Sequence, residues 1–326
     1  MMLIDPSHRK INYLRVSLTT RCNFRCLYCY GRPDAYPLAD PVLPDEHLHR
    51  LLEAFAGLGV EKVRFTGGEP LTRPNVAEIV RATAGIEGIS RLAVTTNGFM
   101  LTRLLPDLVD AGLNGLNISL DSLKREKFRQ ITGVDGFERV RAGISEAIKC
   151  GAFPLVKINM VVIRGLNDDE IPDFAQWAKT EPIDVRFIEF MPTDTSGWGA
   201  DRLIPEAEIR QRTGLKLTPI PRDGNYSGPA KSYAIDGGVG RVSFISAVSH
   251  NFCGNCNRLR ITSDGSLIGC LFGKSQISVR DRLASNISQQ ELMALLKSIL
   301  SAPGFRRKSS VCSISSEHPS MRRIGG

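Results

Sequence analysis

The chain has 326 residues, 42% of them hydrophobic and 23% charged, a balance that argues for folding through most of its length, as a main domain with a smaller attachment. Its 42 Lys and Arg against 34 Asp and Glu leave a formal net charge of +8, which favours an anionic partner such as a nucleotide, nucleic acid or membrane surface without choosing among them. No apolar run approaches membrane-spanning length, and the opening MMLIDPSHRK carries charge and proline where a secretory segment would be apolar. A cytoplasmic protein with reduced thiols is expected.

The first two hundred residues alternate between two periods. YLRVSLT (13–19) reads as a strand, and 44–57 as a helix with leucines at helical spacing and Pro44 near its start. KVRFT (62–66) is a strand, 73–83 a helix, RLAVTT (91–96) a strand, and 101–111 a helix closed by Gly112. GLNISL (115–120) is followed by a helix over 140–149, LVKINMVVI (155–163) by a helix over 168–179, and VRFIEF (185–190) is the sixth strand. Strand–helix units with short connections predict parallel strands and right-handed crossovers. A closed eight-unit barrel takes about 250 residues. This region stops near 200, so the expected fold is α/β: an open (β/α)6 partial TIM barrel over residues 1–225, with a smaller α+β domain over 226–326.

Six of the eight cysteines form two tight groups: Cys22, Cys26 and Cys29 in RCNFRCLYCY, and Cys253, Cys256 and Cys270 in NFCGNCNRLRITSDGSLIGC. A 4Fe-4S cluster held by three thiolates keeps one iron open to a non-protein ligand, and each group has three. Structural zinc takes four protein ligands. His250, three residues before Cys253, keeps zinc open for the second group. Cys150 and Cys312 stand alone and read as packing or surface residues.

The remaining motifs fall where parallel α/β folds do chemistry, in the loops after strand ends. The first cysteine group follows the first strand, Gly67-Gly68-Glu69-Pro70 the second, Thr95-Thr96-Asn97-Gly98 the third and Ser119-Leu120-Asp121 the fourth. Lys62 and Arg64 share one face of their strand, as do Arg258 and Arg260 just after Cys256. Arg306-Arg307-Lys308 reads as a solvated run, Trp177 as packing, and Trp198 in the glycine-rich SGWGAD as a loop residue, with covering the site as the less favoured alternative.

CxxxCxxC followed by GGEP resembles the signature of radical S-adenosylmethionine enzymes. YLRVSLTTRCNFRCLYC, VRFTGGEPLTR, TTNG, LNISLDSL, KINMVVIRGLND, VRFIEFMP, the second triad and the terminal Gly325-Gly326 together resemble the GTP 3′,8-cyclase family, which catalyses the first step of molybdenum cofactor biosynthesis. The resemblance implies two 4Fe-4S clusters as cofactors, held by Cys22, Cys26 and Cys29 and by Cys253, Cys256 and Cys270. It places S-adenosylmethionine against Tyr28, Gly67, Gly68, Glu69, Pro70, Thr96, Ser119 and Met191. It places GTP against Arg15, Lys62, Arg64, Lys157, Arg186, Arg258 and Arg260, with the Gly325-Gly326 tail threading into the site.

An external low-potential electron donor and, downstream, cyclic pyranopterin monophosphate synthase are the partners it implies. A homodimer is compatible with it, and nucleic acid is disfavoured. One departure stands out: Tyr30-Gly31 follows Cys29 where the family commonly has Met-Pro. A diverged paralogue acting on another nucleotide, a peptide or RNA, and a non-catalytic iron–sulfur or zinc module, are the alternative readings.

Overall fold

The computed structural model describes residues 2–29, 41–192, 198–221, 228–250, 254, 256–271, 275–285, 287–302 and 304–305. In chain order the elements are β1 (Tyr13–Ser17), α1 (Asp45–Gly57), β2 (Lys62–Thr66), α2 (Val76–Ala84), β3 (Arg91–Thr96), α3 (Leu101–Asp110), β4 (Gly115–Ser119), α4 (Arg125–Thr132), α5 (Phe137–Lys149), β5 (Val156–Val162), α6 (Ile171–Thr180) and β6 (Ile183–Glu189). There follow α7 (Glu206–Arg212), β7 (Leu217–Pro219), β8 (Lys231–Ile235), β9 (Arg241–Ile245), β10 (Arg258–Ile261), β11 (Ser266–Ile268), β12 (Gln276–Ser278), α8 (Arg280–Ala284) and α9 (Gln289–Ser301).

All six expected strands are present, and they lie side by side in chain order from β1 to β6, each parallel to the next. The linear order of the sheet leaves its two ends unjoined, the open partial barrel expected. Four differences lie in the helices. The helices expected from 73 and from 168 begin at Val76 and Ile171, after short 3₁₀ turns over Pro70–Thr72 and Asp168–Glu170, the one expected from 140 begins at Phe137, and α4 was not foreseen. α4 is a charged segment, REKFRQIT, whose buried Phe128, Ile131 and Thr132 are too few for a clear apolar stripe.

The region after 225 extends the same sheet. β9 pairs in parallel with the outer edge of β6, and β10 with the outer edge of β1, so eight strands run parallel in one continuous sheet across the expected boundary. Antiparallel β7–β8 and β11–β12 complete its two ends. This placement could not be read from local pattern, because pairing at both ends of a sheet is long-range.

The strands sort their residues by face. Val156, Ile158, Met160 and Val162 of β5 are buried while Lys157, Asn159 and Val161 between them are half-buried, the alternation of a pleated strand with helices on one side. Leu14 and Val16 of β1 join Leu51, Leu52 and Phe55 of α1 in the core, and α9 lies on α1 through Leu292, Leu296 and Leu300. A capping box between Ser288 and Glu291 starts α9. The polar faces of β1, β2, β5, β6, β9 and β10 are therefore turned together to the other side of the sheet.

Gly240 sets how closely β9 approaches β6. A Cβ there would lie 2.4 Å from the carbonyl oxygens of Glu181 and Ile183 and 2.5 Å from that of Ala178. These are backbone atoms and cannot rotate away. Gly240→Ala is expected to cost about 1–3 kcal/mol of stability by overpacking, read as a lowered midpoint in chemical denaturation. An unchanged midpoint would show that β9 can shift without penalty.

Candidate active site

One cavity of roughly 510 Å³ lies over the polar face of the sheet. Cys22, Cys26 and Cys29 line one part of it, with Tyr28, Gly67, Gly68, Glu69, Thr96, Ser119 and Met191. Arg15, Lys62, Arg64, Lys157, Arg186, Arg258 and Arg260 line the rest. The sequence-assigned residues within the described segments are thus brought together, with three exceptions, two of them at the second cysteine group. Cys256 and Cys270 are half-buried, beside the lining residues Arg258 and Leu271. Pro70 is buried just behind the wall, where it opens the 3₁₀ turn. Cys253, Gly325, Gly326, Tyr30, Gly31 and Cys312 lie outside the described residues.

The glycines of GGEP have a local steric reason. Gly67 has φ +127°, and a Cβ on it would lie 2.3 Å from the carbonyl oxygen of Thr19. One on Gly68 would lie 2.1 Å from that of Arg21. Only glycine lets the loop after β2 press against the backbone leading into Cys22. The contact is fastened by Gly68 N–H donating to Thr19 O and Glu69 N–H to Arg21 O, both at 2.8 Å.

Glu69 is almost fully buried, and its carboxylate ties its own loop to the one after β3. Its Oε1 accepts from Leu71 N at 3.0 Å and Thr96 Oγ1 at 2.7 Å, and its Oε2 from Asn97 N at 2.6 Å. Burial pushes its carboxyl up to about 7 against those donors. A carboxylate offers roughly four acceptor positions, so one remains for a ligand donor. Asp121 ties the cysteine loop to β5. It accepts from Tyr28 Oη at 2.7 Å and from Val161 N at 2.8 Å, and burial raises it to about 6 against these bonds.

The first triad fits a cluster by its chemistry. The Cys26 thiol is pushed well above its usual value by burial, then by the negative charge that Asp121, Cys29 and Cys22 would place beside its thiolate. Bound cations remove that penalty and hold coordinating thiols deprotonated. Phe24 N donates to Cys22 Sγ at 3.4 Å and Asn97 Nδ2 reaches it at 3.9 Å, the kind of donors that tune cluster sulfurs. Among the described residues no three such side chains converge on a single ion, which a cluster taking each thiolate on a different iron does not require.

For the second group, the β10–β11 hairpin pairs Arg260 with Ile268. Continuing that register puts Cys270 opposite Arg258, at the same end as Cys256. His250 instead lies 3.7 Å from Glu206, with Ser249 Oγ at 3.1 Å from its Nδ1.

The basic residues form rows across the sheet. Arg258, Tyr13, Lys62 and Arg91 are successive partners across β10, β1, β2 and β3, and Arg260, Arg15 and Arg64 form the next row. Tyr13 was missed at the sequence level because a tyrosine opening a strand reads as packing. Lys62 Nζ stands 4.6 Å from its ring centroid and the Arg64 guanidinium 6.0 Å. Burial alone would raise the Tyr13 phenol, but Arg64, Lys62, Arg15 and Arg258 outweigh it and bring it down to about 7. Burial lowers Lys62 to about 8 and Lys157 to about 7, in each case assisted by neighbouring cations.

Four buried polar atoms on this wall have no hydrogen-bond partner among the described residues: Arg64 Nε, Asn117 Oδ1, Asn159 Oδ1 and Arg241 Nε. Such atoms are costly to leave unmet. Phe190 packs on Trp198 at 5.9 Å, so that tryptophan borders a lining residue, while Trp177 packs on Phe174 as expected.

A partial barrel with a three-cysteine loop after its first strand, buttressed by GGEP after its second, defines the radical S-adenosylmethionine class. The sequence matches the Radical SAM superfamily over residues 16–178 and Molybdenum Cofactor Synthesis C over residues 183–306. It is 41% identical over 329 residues to the GTP 3′,8-cyclase of Geobacter sulfurreducens, covering 100% of each chain. To that of Alkaliphilus oremlandii it is 43% identical over 327 residues, covering 99% of each. The chain belongs to the GTP 3′,8-cyclase family.

Molybdenum cofactor biosynthesis protein 1 of Mus musculus is 46% identical over 301 residues, which are 90% of this chain and 46% of that protein. The chain thus spans about half the length of the mammalian relatives it matches. SuiB of Streptococcus suis, solved bound to S-adenosylmethionine, shares the fold with a TM-score of 0.57 at 14% identity, over 89% of this chain and 68% of that one.

An anion in this cavity favours the protonated forms of Lys157, Lys62 and Tyr13, so the complex holds more protons than the free protein. Affinity must then fall as pH rises. Sulfate, which does not titrate in this range, is expected to bind roughly tenfold or more weakly at pH 9 than at pH 7. Calorimetric titration would measure this, and Lys157→Met should flatten the slope. A pH-independent affinity in the wild type would contradict the assignment of these groups to the anion site.

Proposed function

We propose that the chain converts GTP to (8S)-3′,8-cyclo-7,8-dihydroguanosine 5′-triphosphate, the first step of molybdenum cofactor biosynthesis. The observation that carries this reading is a cavity joining a cluster-type thiol loop to rows of buried and half-buried cations, beside buried polar atoms that lack a partner among the described residues. Its cation count suits a triphosphate, and its thiol end suits a radical-generating cofactor. The full-length similarity to bacterial proteins named GTP 3′,8-cyclase supports the same substrate.

Cys22, Cys26 and Cys29 would hold one 4Fe-4S cluster, and Cys253, Cys256 and Cys270 a second. When bound, the first cluster and S-adenosylmethionine supply a 5′-deoxyadenosyl radical by one-electron cleavage of a carbon–sulfur bond. The residues of this chain bind and orient. The remaining acceptor position of Glu69 takes the methionine ammonium, and Gly67, Gly68, Thr96 and Ser119 line the space beside it, with Tyr28 and Met191 at its borders. Pro70 fixes the turn that carries Glu69.

Arg15, Lys62, Arg64, Lys157, Arg186, Arg258 and Arg260 take the nucleotide, the arginines through planar donor forks suited to phosphate and to a guanine edge. Gly325-Gly326 enters the same space by family likeness. An external low-potential electron donor, a downstream cyclic pyranopterin monophosphate synthase, a cytoplasmic setting and a homodimer belong to the same reading. No helix among the described residues is long and apolar enough to cross a membrane.

The test is anaerobic incubation of reconstituted protein with S-adenosylmethionine, reductant and each nucleoside triphosphate, followed by mass spectrometry. GTP alone should yield an isomer of unchanged mass and altered chromatographic position. Cys22→Ala should abolish 5′-deoxyadenosine formation. Cys256→Ala should retain iron at the first site while losing GTP conversion. Full cyclisation by either variant would remove that triad from the mechanism.

A further inference from the structure

We propose that Arg241, at the start of β9, is a further phosphate-binding residue of this cavity and that Asp184 on β6 positions it. The inference rests on the nucleotide reading above and adds a residue that the local sequence did not single out.

Arg241 lines the same cavity as Arg64, Lys157 and Arg186. Its place is fixed by the sheet: Lys157, Asp184 and Arg241 are successive partners across β5, β6 and β9, in one inward-facing row. Its Nη2 donates to Asp184 Oδ2 at 3.3 Å, while its Nε is buried and has no hydrogen-bond partner among the described residues. A guanidinium anchored at one corner with another N–H unmet, in a cavity shared with other cations, is arranged to receive an anion.

Asp184 is fully buried and does not line the cavity, so it acts through its neighbours. It accepts from Arg186 Nε at 2.9 Å and Nη2 at 2.8 Å, and from Ser243 Oγ at 2.6 Å. Burial opposes its ionisation, but Arg186 and Arg241 outweigh that and hold its carboxyl below the usual range. One carboxylate therefore orients a guanidinium from each of two strands. Charge repulsion between them, and with Lys157 alongside, is offset by a group that leaves their outer donors facing the cavity.

The experiment measures dissociation constants of the reconstituted holoenzyme for GTP and for inorganic tripolyphosphate. Arg241→Ala should weaken both by about tenfold, the loss of one charge-assisted hydrogen bond, and Arg241→Lys should restore part of it. Asp184→Asn should raise KM for GTP with kcat within about twofold. Arg241→Ala should then have a smaller effect in that background than in the wild type, because its geometry is already released.

Equal tripolyphosphate affinity in wild type and Arg241→Ala would overturn the inference, whether or not Asp184→Asn folds. If the wild type bound tripolyphosphate but not GTP, and Arg241→Ala still weakened that binding, the nucleotide reading would fall while the phosphate assignment of Arg241 stood.

Discussion

The crowding of like charge on the inner face of one parallel sheet is the constraint to which the site answers. Parallel pairing stacks residues of the same register side by side, so a basic residue at the same step of several strands becomes a row. Arg258, Lys62 and Arg91 share one such row and Arg260, Arg15 and Arg64 the next. Desolvation makes Lys62, Arg64, Arg15 and Arg260 more costly to keep charged, bringing Lys62 down to about 8 and Arg15 to about 10. Two acidic groups offset this from within. Tyr13 serves Arg15, Lys62 and Arg64 on the β1–β2 side, and Asp184 serves Arg186 and Arg241 on the β6–β9 side. In the proposed function, a polyanionic substrate would complete what these two groups begin.

The opposite end of the cavity is held by buried carboxylates used as fasteners. Glu69 joins the loops after β2 and β3, and Asp121 joins the cysteine loop to β5 through Tyr28 and Val161. Glu189, at the end of β6, accepts from the backbone of Glu206, Val248 and Ser249, and so secures the segment leading toward the second cysteine group. Backbone donors to carboxylates fix loops without long side chains, so the cavity walls come from rigid strand ends. Gly67 and Gly68 perform the complementary task by removing side-chain volume where two backbones must touch.

The local sequence determined a good deal. The six strands of the partial barrel were legible because period-2 runs of β-branched residues alternate with period-3.6 leucines. KVRFT and RLAVTT match β2 and β3 end to end. The first cysteine loop, GGEP, and the alternation of Lys62 with Arg64 were legible because each is a short-range pattern whose chemistry depends on spacing alone. Tertiary structure decided the rest. The region after 225 enters the same sheet as β9 and β10, at opposite ends, a choice that no local window contains. Tyr13, Asp184 and Arg241 become parts of the site only through their partners on neighbouring strands. Each is ordinary in its own segment, a strand-opening aromatic, a buried acid and a strand-opening arginine. Their meaning lies in contacts between residues dozens of positions apart, which the chain specifies only by folding.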